Sequence, residues 1–199
     1  ALLKNVLVKD KGGKTADSYG SYFVFRKLEQ DVAAFKTKEK EISARFNAGA
    51  GVKDNMGTPN PELAGAMVGG GFEDGSDVVN DSNDRGVDND TQTLNNDFDY
   101  RDDNAALKCP IHAHIRITNP RADVAAAPNH DFAKSVRLTR RGIPFNDIGR
   151  DEFDLEKDKP SGGVGLLFMC NNRSREDQVE FIQTSRPNQG TSGGNPVGQ

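Results

Sequence analysis

Tryptophan is missing from this chain, cysteine occurs twice, histidine three times, and aromatic residues make up only 7% of it. Two cysteines cannot build a disulfide framework. Cys109 and Cys170 both lie in apolar, strand-like surroundings, where a buried free thiol is the expected state. No apolar run reaches the length of a membrane-spanning helix. Positive charge is also short, 26 Lys and Arg against 30 Asp and Glu, and a net charge of −4 argues against nucleic acid or an anionic membrane as partner. Ala1-Leu2-Leu3-Lys4 lacks the basic and then apolar order of a secretory leader. That expectation leaves both a secreted and a cytoplasmic location open.

What is present fits one domain over 1–199, long enough to bury a core but only 34% hydrophobic. Long polar loops are therefore expected beside that core. Tyr19 to Phe25 is aromatic and β-branched and reads as a strand. Apolar residues at Leu28, Val32, Phe35, Ile42 and Phe46 predict an amphipathic helix to about Arg45. Pro61 to Val68 predicts a short helix with proline in its first turn. Residues 69–104 form a long acidic, Asn- and Asp-rich loop. Leu107 to Thr118 alternates like a strand, Val136 to Thr139 reads as a short one, and Val164 to Cys170 as a buried one. Arg173 to Thr184 predicts a helix, and the tail from Ser185 is rich in Gly, Pro, Asn and Ser. Strands and helices without a strict βαβ rhythm point to an α+β domain with a largely antiparallel sheet.

Two of the three histidines, His112 and His114, fall two apart in one of these strand-like runs, which would turn both to one face. An imidazole there suits a metal or a haem iron. A two-histidine metal site would need a third ligand, from His130 or the acidic loop, and the spacing alone fits a pair of structural histidines equally well. The acidic loop offers a separate reading, calcium. Asp81-Ser82-Asn83-Asp84-Arg85-Gly86 opens like an EF-hand loop, but Arg85 stands at a ligand position and Gln92 replaces the closing Glu, so that motif fails.

Several segments in a fixed order carry a more specific signal. They are Ser21-Tyr22-Phe23-Val24-Phe25-Arg26-Lys27-Leu28, Cys109-Pro110-Ile111-His112-Ala113-His114-Ile115-Arg116-Ile117-Thr118-Asn119-Pro120-Arg121, Arg140-Arg141-Gly142-Ile143-Pro144-Phe145, and Gly165-Leu166-Leu167-Phe168-Met169-Cys170 leading to Phe181-Ile182-Gln183. Together they resemble the second half of a dye-decolorizing (DyP-type) haem peroxidase. The resemblance implies a ferredoxin-like domain, half of a dimeric α+β barrel, that binds haem b and packs with an N-terminal half of the same enzyme. It implies H2O2 as one substrate and a dye or phenolic compound as the other, oxidised in one-electron steps. His114 falls at the position of the axial iron ligand and His112 at a variable one. Arg140 matches the distal arginine, Leu166 and Phe168 the apolar lining of the distal pocket, and Arg116, Asn119 and Arg121 positions near the haem edge. Tyr19, Tyr22 and Tyr100 are the only tyrosines available as surface radical sites.

The chain also departs from the family pattern. Gly71-Phe72-Glu73-Asp74-Gly75 satisfies the signature of the family's distal aspartate, yet it lies after the Ser-Tyr-x-Val-Phe-Arg strand instead of far upstream. Local turn chemistry explains it, so Asp74 is not expected to be the distal acid. Asn195 stands near the place of the acid that supports the proximal histidine, and the tryptophan common after Phe-Ile-Gln is missing. These departures favour, as the alternative, a catalytically incomplete haem-binding or structural fragment.

Overall fold

The computed structural model describes residues 2–46, 60–84, 96–123, 130–147 and 159–185. In chain order the elements are a 3-10 turn Leu2–Asn5, β1 (Val8–Lys9), β2 (Tyr19–Gly20), β3 (Tyr22–Glu29), α1 (Val32–Phe46), α2 (Pro61–Gly69), α3 (His114–Thr118), α4 (His130–Ser135), β4 (Thr139–Asn146) and β5 (Val164–Asn172). A π-helical turn Arg175–Glu180 then runs into α5 (Phe181–Ser185). The described residues gather into two compact units, one from the stretches up to Ala33 and from Asp131 onward, the other from Ala34 to His130.

The first unit is built on a three-stranded sheet ordered β3-β5-β4, antiparallel throughout. β3 and β4 therefore run parallel to each other with β5 between them, the split βαβ arrangement of ferredoxin-like folds. The fold is α+β, as expected, and no closed barrel forms among the described residues. β5 takes the centre because its run from Val164 to Cys170 is apolar on both faces, and Gly165 and Cys170 are buried. β4 carries Pro144, which cannot donate to a ladder and is tolerated because this strand is an edge. The π turn begins at Ser174, whose hydroxyl accepts from the amide of Asp177 at 3.1 Å. Gln178 is fully buried there. Its Oε1 accepts from the amides of Arg173 and Ser174, and its Nε2 donates to the carbonyls of Asn5 and Arg137. One amide side chain thus ties three chain segments of this unit together.

The second unit has a small core of Ala66, Phe72, Val78, Val79, Tyr100, Cys109 and Ala113. α2 starts as the sequence predicts: the Asn60 side chain accepts from the amide of Leu63 at 3.0 Å and proline follows at the first turn. It ends at Gly70, whose φ of 96° is the left-handed conformation that glycine adopts without strain. Buried Glu39 on α1 pairs with Lys36 at 2.9 Å, and Lys36 also pairs with Glu73.

The structure departs from the sequence reading in three places. Leu28 belongs to β3, so the helix begins four residues later, at Val32. The short strand expected over Val136 to Thr139 is displaced into Thr139–Asn146, carried by its pairing with β5. Leu107 to Thr118 is not a strand: turns lead to a five-residue helix from His114. The alternation of Ile111, Ala113, Ile115 and Ile117 mimics a strand, but among the described residues no strand pairs with it. His112 and His114 therefore do not share a strand face. The calcium-loop residues Arg85 and Gln92, and Asn195, lie outside the described residues.

Candidate functional site

The residues singled out by sequence fall into two groups, four in the helical unit and three in the sheet unit. In the helical unit α3 opens at His114 after a turn in which the amide of Ala113 donates to the carbonyl of Pro110. Its cap has no side-chain bond. The Thr118 hydroxyl donates back to the carbonyl of His114 at 2.7 Å, and the amide of Asn119 closes the helix on Ile115 at 2.9 Å. His114 is exposed. Ile115 packs against the end of α2, where a Cβ added at Gly70 would lie 2.9 Å from the Ile115 Cβ. The absence of a side chain at Gly70 is what lets the two helices meet.

Arg116 departs from its expected place at a haem edge. Its side chain is fully buried. Nε donates to Asp123 Oδ2 at 2.6 Å, Nη1 to Asp103 Oδ2 at 2.8 Å and to the carbonyl of Cys109, and Nη2 to the carbonyl of Asp103 at 2.8 Å. The guanidinium also lies over the Tyr100 ring, 4.6 Å from its centroid. Asp103 in turn accepts from the amides of Leu107, Lys108 and Cys109 at 2.9–3.1 Å. Burial alone would push the Asp103 carboxyl up. The amides of Cys109 and Lys108 and the Arg116 charge outweigh it and hold the carboxyl below its ordinary value. Burial opposes the Arg116 charge as well, and Asp123 and Asp103 overcome it. The Cys109 thiol, beside this network, is pushed up to about 11, chiefly by burial.

Asn119 and Arg121 stand half-buried at the exit of α3. Arg121 Nη1 donates to the carbonyls of Asn96 and Phe98 at 2.8 and 3.2 Å, and its guanidinium stacks 3.9 Å from the centroid of the Phe98 ring. Asp74 forms a local turn: its Oδ1 accepts from the amide and hydroxyl of Ser76 at 2.7 and 2.6 Å, with Gly75 following at φ 93°. Tyr100 is fully buried and is no surface site, unlike Tyr19 and Tyr22. Both cysteines are buried free thiols, as the sequence suggests.

In the sheet unit, register decides which side chains meet. Arg140 lies opposite Cys170, Gly142 opposite Phe168, and Pro144 opposite Leu166. Residues directly opposite and residues two apart share a face, so Arg140, Leu166 and Phe168 all project from one face. Val24, Arg26 and Leu28 of β3 join them. Gly142 leaves room there, since a Cβ at that position would stand 3.0 Å from Leu166 Cδ1. Arg140 is exposed on this edge strand, and the half-buried Phe168 and Leu166 follow along the same face, opposite Gly142 and Pro144. A cation next to an apolar wall can stabilise an anion while keeping water away. The opposite face carries Phe23, Phe25, Ile143, Leu167 and Met169, and the first three of these are 59%, 54% and 41% exposed.

Comparison with known proteins gives these features a setting. The multifunctional dye peroxidase DyP2 of Amycolatopsis sp. is 38% identical over 189 residues, covering 92% of this chain and 37% of that protein. A dye-decolorizing peroxidase of Exidia glandulosa is 33% identical over 85% of this chain and 32% of its own length. The relatives of this chain are dye-decolorizing peroxidases. Among solved structures, the DyP-type peroxidase of Anabaena sp. superposes with a TM-score of 0.75 at 34% identity, covering 94% of this chain and 36% of that one. No family model matches the chain. The chain spans about a third of the length of the dye-decolorizing peroxidases it matches.

The network of Arg116 with Asp103 and Asp123 had no signal in the sequence. Asp103 is one of many acidic residues in its loop, and Asp123 is seven positions beyond Arg116, with nothing local to join them.

Proposed function

We propose that this chain is the haem-binding part of a dye-decolorizing peroxidase, acting on H2O2 and on a dye or phenolic compound. The carrying observation is the shared sheet face of Arg140, Leu166 and Phe168, which unites three residues drawn from two separate motifs. Each unit by itself offers chemistry that haem b uses: the helical unit an exposed imidazole at His114 for iron, and the sheet unit apolar side chains at Leu166 and Phe168 with a cation at Arg140. His114 would be the iron ligand, and Asn119 at the exit of α3 is a polar side chain for a propionate, with Arg121, already bonded to Asn96 and Phe98, adding its charge. A bound haem would supply the redox centre for peroxide reduction and for one-electron oxidation of the second substrate. Arg140 stabilises the negative charge that develops on a peroxide oxygen as the O–O bond breaks. Leu166 and Phe168 exclude water from that position.

An N-terminal half of the same enzyme is the proposed partner. The exposed Phe23, Phe25 and Ile143, on the face turned away from Arg140, support it, because apolar area of this kind is what an obligate interface covers. A second reading, a haem-binding fragment without turnover, is favoured by one observation: Asp74 is engaged in its own turn. The deciding experiment is an absorbance titration with hemin followed by a peroxide assay. A histidine-type Soret band that disappears in His114→Ala, together with peroxide-dependent dye bleaching, supports the enzyme. The band without bleaching supports the fragment. No band with excess hemin overturns both.

A further inference from the structure

We propose that Arg116 is a positioning residue for His114, aiming the imidazole outward by locking α3 from beneath. The inference rests on the reading of His114 as the iron ligand. α3 has only five residues and no side-chain cap. A helix of that length has no stability of its own, so its geometry must come from tertiary contacts. Arg116 supplies them from both sides in sequence, bonding Asp103 and the Cys109 carbonyl before the helix and Asp123 after it. Asp103 is itself fixed by the amides of residues 107 to 109, so the turn entering the helix and the helix are held by the same carboxylate. Two residues along a helix are separated by about 200° of rotation. Burying position 116 therefore turns position 114 to the opposite side, and His114 is indeed exposed.

The energetics agree. A fully buried arginine with two carboxylates is weak evidence for stability, since apolar side chains of similar volume often do as well. What such a network supplies is one defined geometry, and a metal ligand is the kind of group that needs it. Ile115, seated against Gly70, fixes the remaining rotation of the helix.

The test uses this chain carrying Arg116→Leu, Arg116→Lys or Asp123→Asn, with His114→Ala as reference. Each is titrated with hemin well below its melting temperature, with circular dichroism recording the fold. Amide exchange over residues 107–118 is measured without hemin. In Arg116→Leu, hemin binding is expected to weaken about 10- to 100-fold, the usual effect of removing a ligand's support. Exchange over 107–118 should quicken, and added imidazole should restore the parent spectrum. Arg116→Lys recovers part of the affinity because it can pair with one carboxylate, and Asp123→Asn, which leaves Asp103 as a charged partner, shows a smaller loss of the same sign. Parental affinity and exchange in folded Arg116→Leu and Asp123→Asn would overturn the positioning role alone. A parent that binds no hemin, or whose binding survives His114→Ala, overturns the haem reading and this inference with it.

Discussion

Asp103 meets Arg116 at 2.8 Å with both side chains buried, and the same carboxylate also takes three backbone amides from residues 107 to 109. A carboxyl held below its ordinary value makes folding pH-dependent in one direction. Because the folded value lies below the unfolded one, the stabilisation is fully present above the unfolded value, near 3.9, and is lost as pH falls through the folded value. Stability should thus hold from neutral pH down to about pH 4 and fall below it. Asp103→Asn should lower stability at pH 7 and flatten the acid limb. Urea unfolding at a series of pH values measures both, and an unchanged acid limb would refute the assignment.

Removing the cation from the same pair is expected to be harsher. Arg116→Met leaves two buried carboxylates without their partner, and breaking such a pair costs about 3–5 kcal/mol. Arg116→Met with Asp103→Asn and Asp123→Asn should recover part of the loss, because the carboxylates no longer face each other uncompensated. Chemical denaturation of the single and triple variants would show it. Equal losses in both would mean that the network contributes packing and not charge.

How much of this was legible beforehand depends on where the information resides. The central strand was readable because six of the seven residues from Val164 to Cys170, all but Gly165, are apolar and need cover on both faces. Once that strand was fixed, alternation alone put Leu166 and Phe168 together, and only pairing register was needed to add Arg140. α2 was readable from Asn60 and Pro61, whose cap chemistry is local. α3 was not, because five residues hold too little periodicity to distinguish helix from strand, and its geometry comes from Asp103 and Asp123. The buried network of Arg116 was hidden for the same reason. A cation in a motif looks the same in sequence whether it faces a propionate or two buried aspartates.

The conformation of Gly70 gives a prediction that does not depend on haem. Gly70→Ala combines a left-handed φ of 96° with a Cβ only 2.9 Å from that of Ile115, so the backbone must strain or α3 must shift. A loss of about 1–3 kcal/mol is expected. Thermal melting measures it, and a parental melting temperature would exclude the close approach of α2 to α3.

Asp74 separates sequence signature from structural role. Its carboxylate accepts from Ser76, a bond that the Oδ1 of asparagine can also accept, so Asp74→Asn should change stability by less than about 1 kcal/mol. Peroxide turnover should stay within about twofold of the parent, since general acid–base residues are worth 10²–10⁴. A loss of a hundredfold or more in steady-state dye oxidation would make Asp74 the distal acid after all.

Arg140 and His114 should fail in different ways, and that difference tests the division of labour between them. Arg140 is exposed on a sheet edge with its backbone paired to Cys170, so Arg140→Leu removes a charge from the surface and leaves the register of β4 in place. Hemin affinity and the Soret position should be close to those of the parent, while the peroxide reaction slows by about 10²–10³, the usual effect of losing one charge-stabilising donor. His114→Ala should show the reverse order of damage, with the iron ligand gone and hemin binding lost before any rate can be measured. Stopped-flow mixing of the hemin-loaded variants with peroxide reads the first effect, and equilibrium titration reads the second. If Arg140→Leu lost hemin as readily as His114→Ala, the arginine would be part of the cofactor's attachment, and the stabilising cation would have to be sought elsewhere on that face, with Arg26 of β3 the next to test.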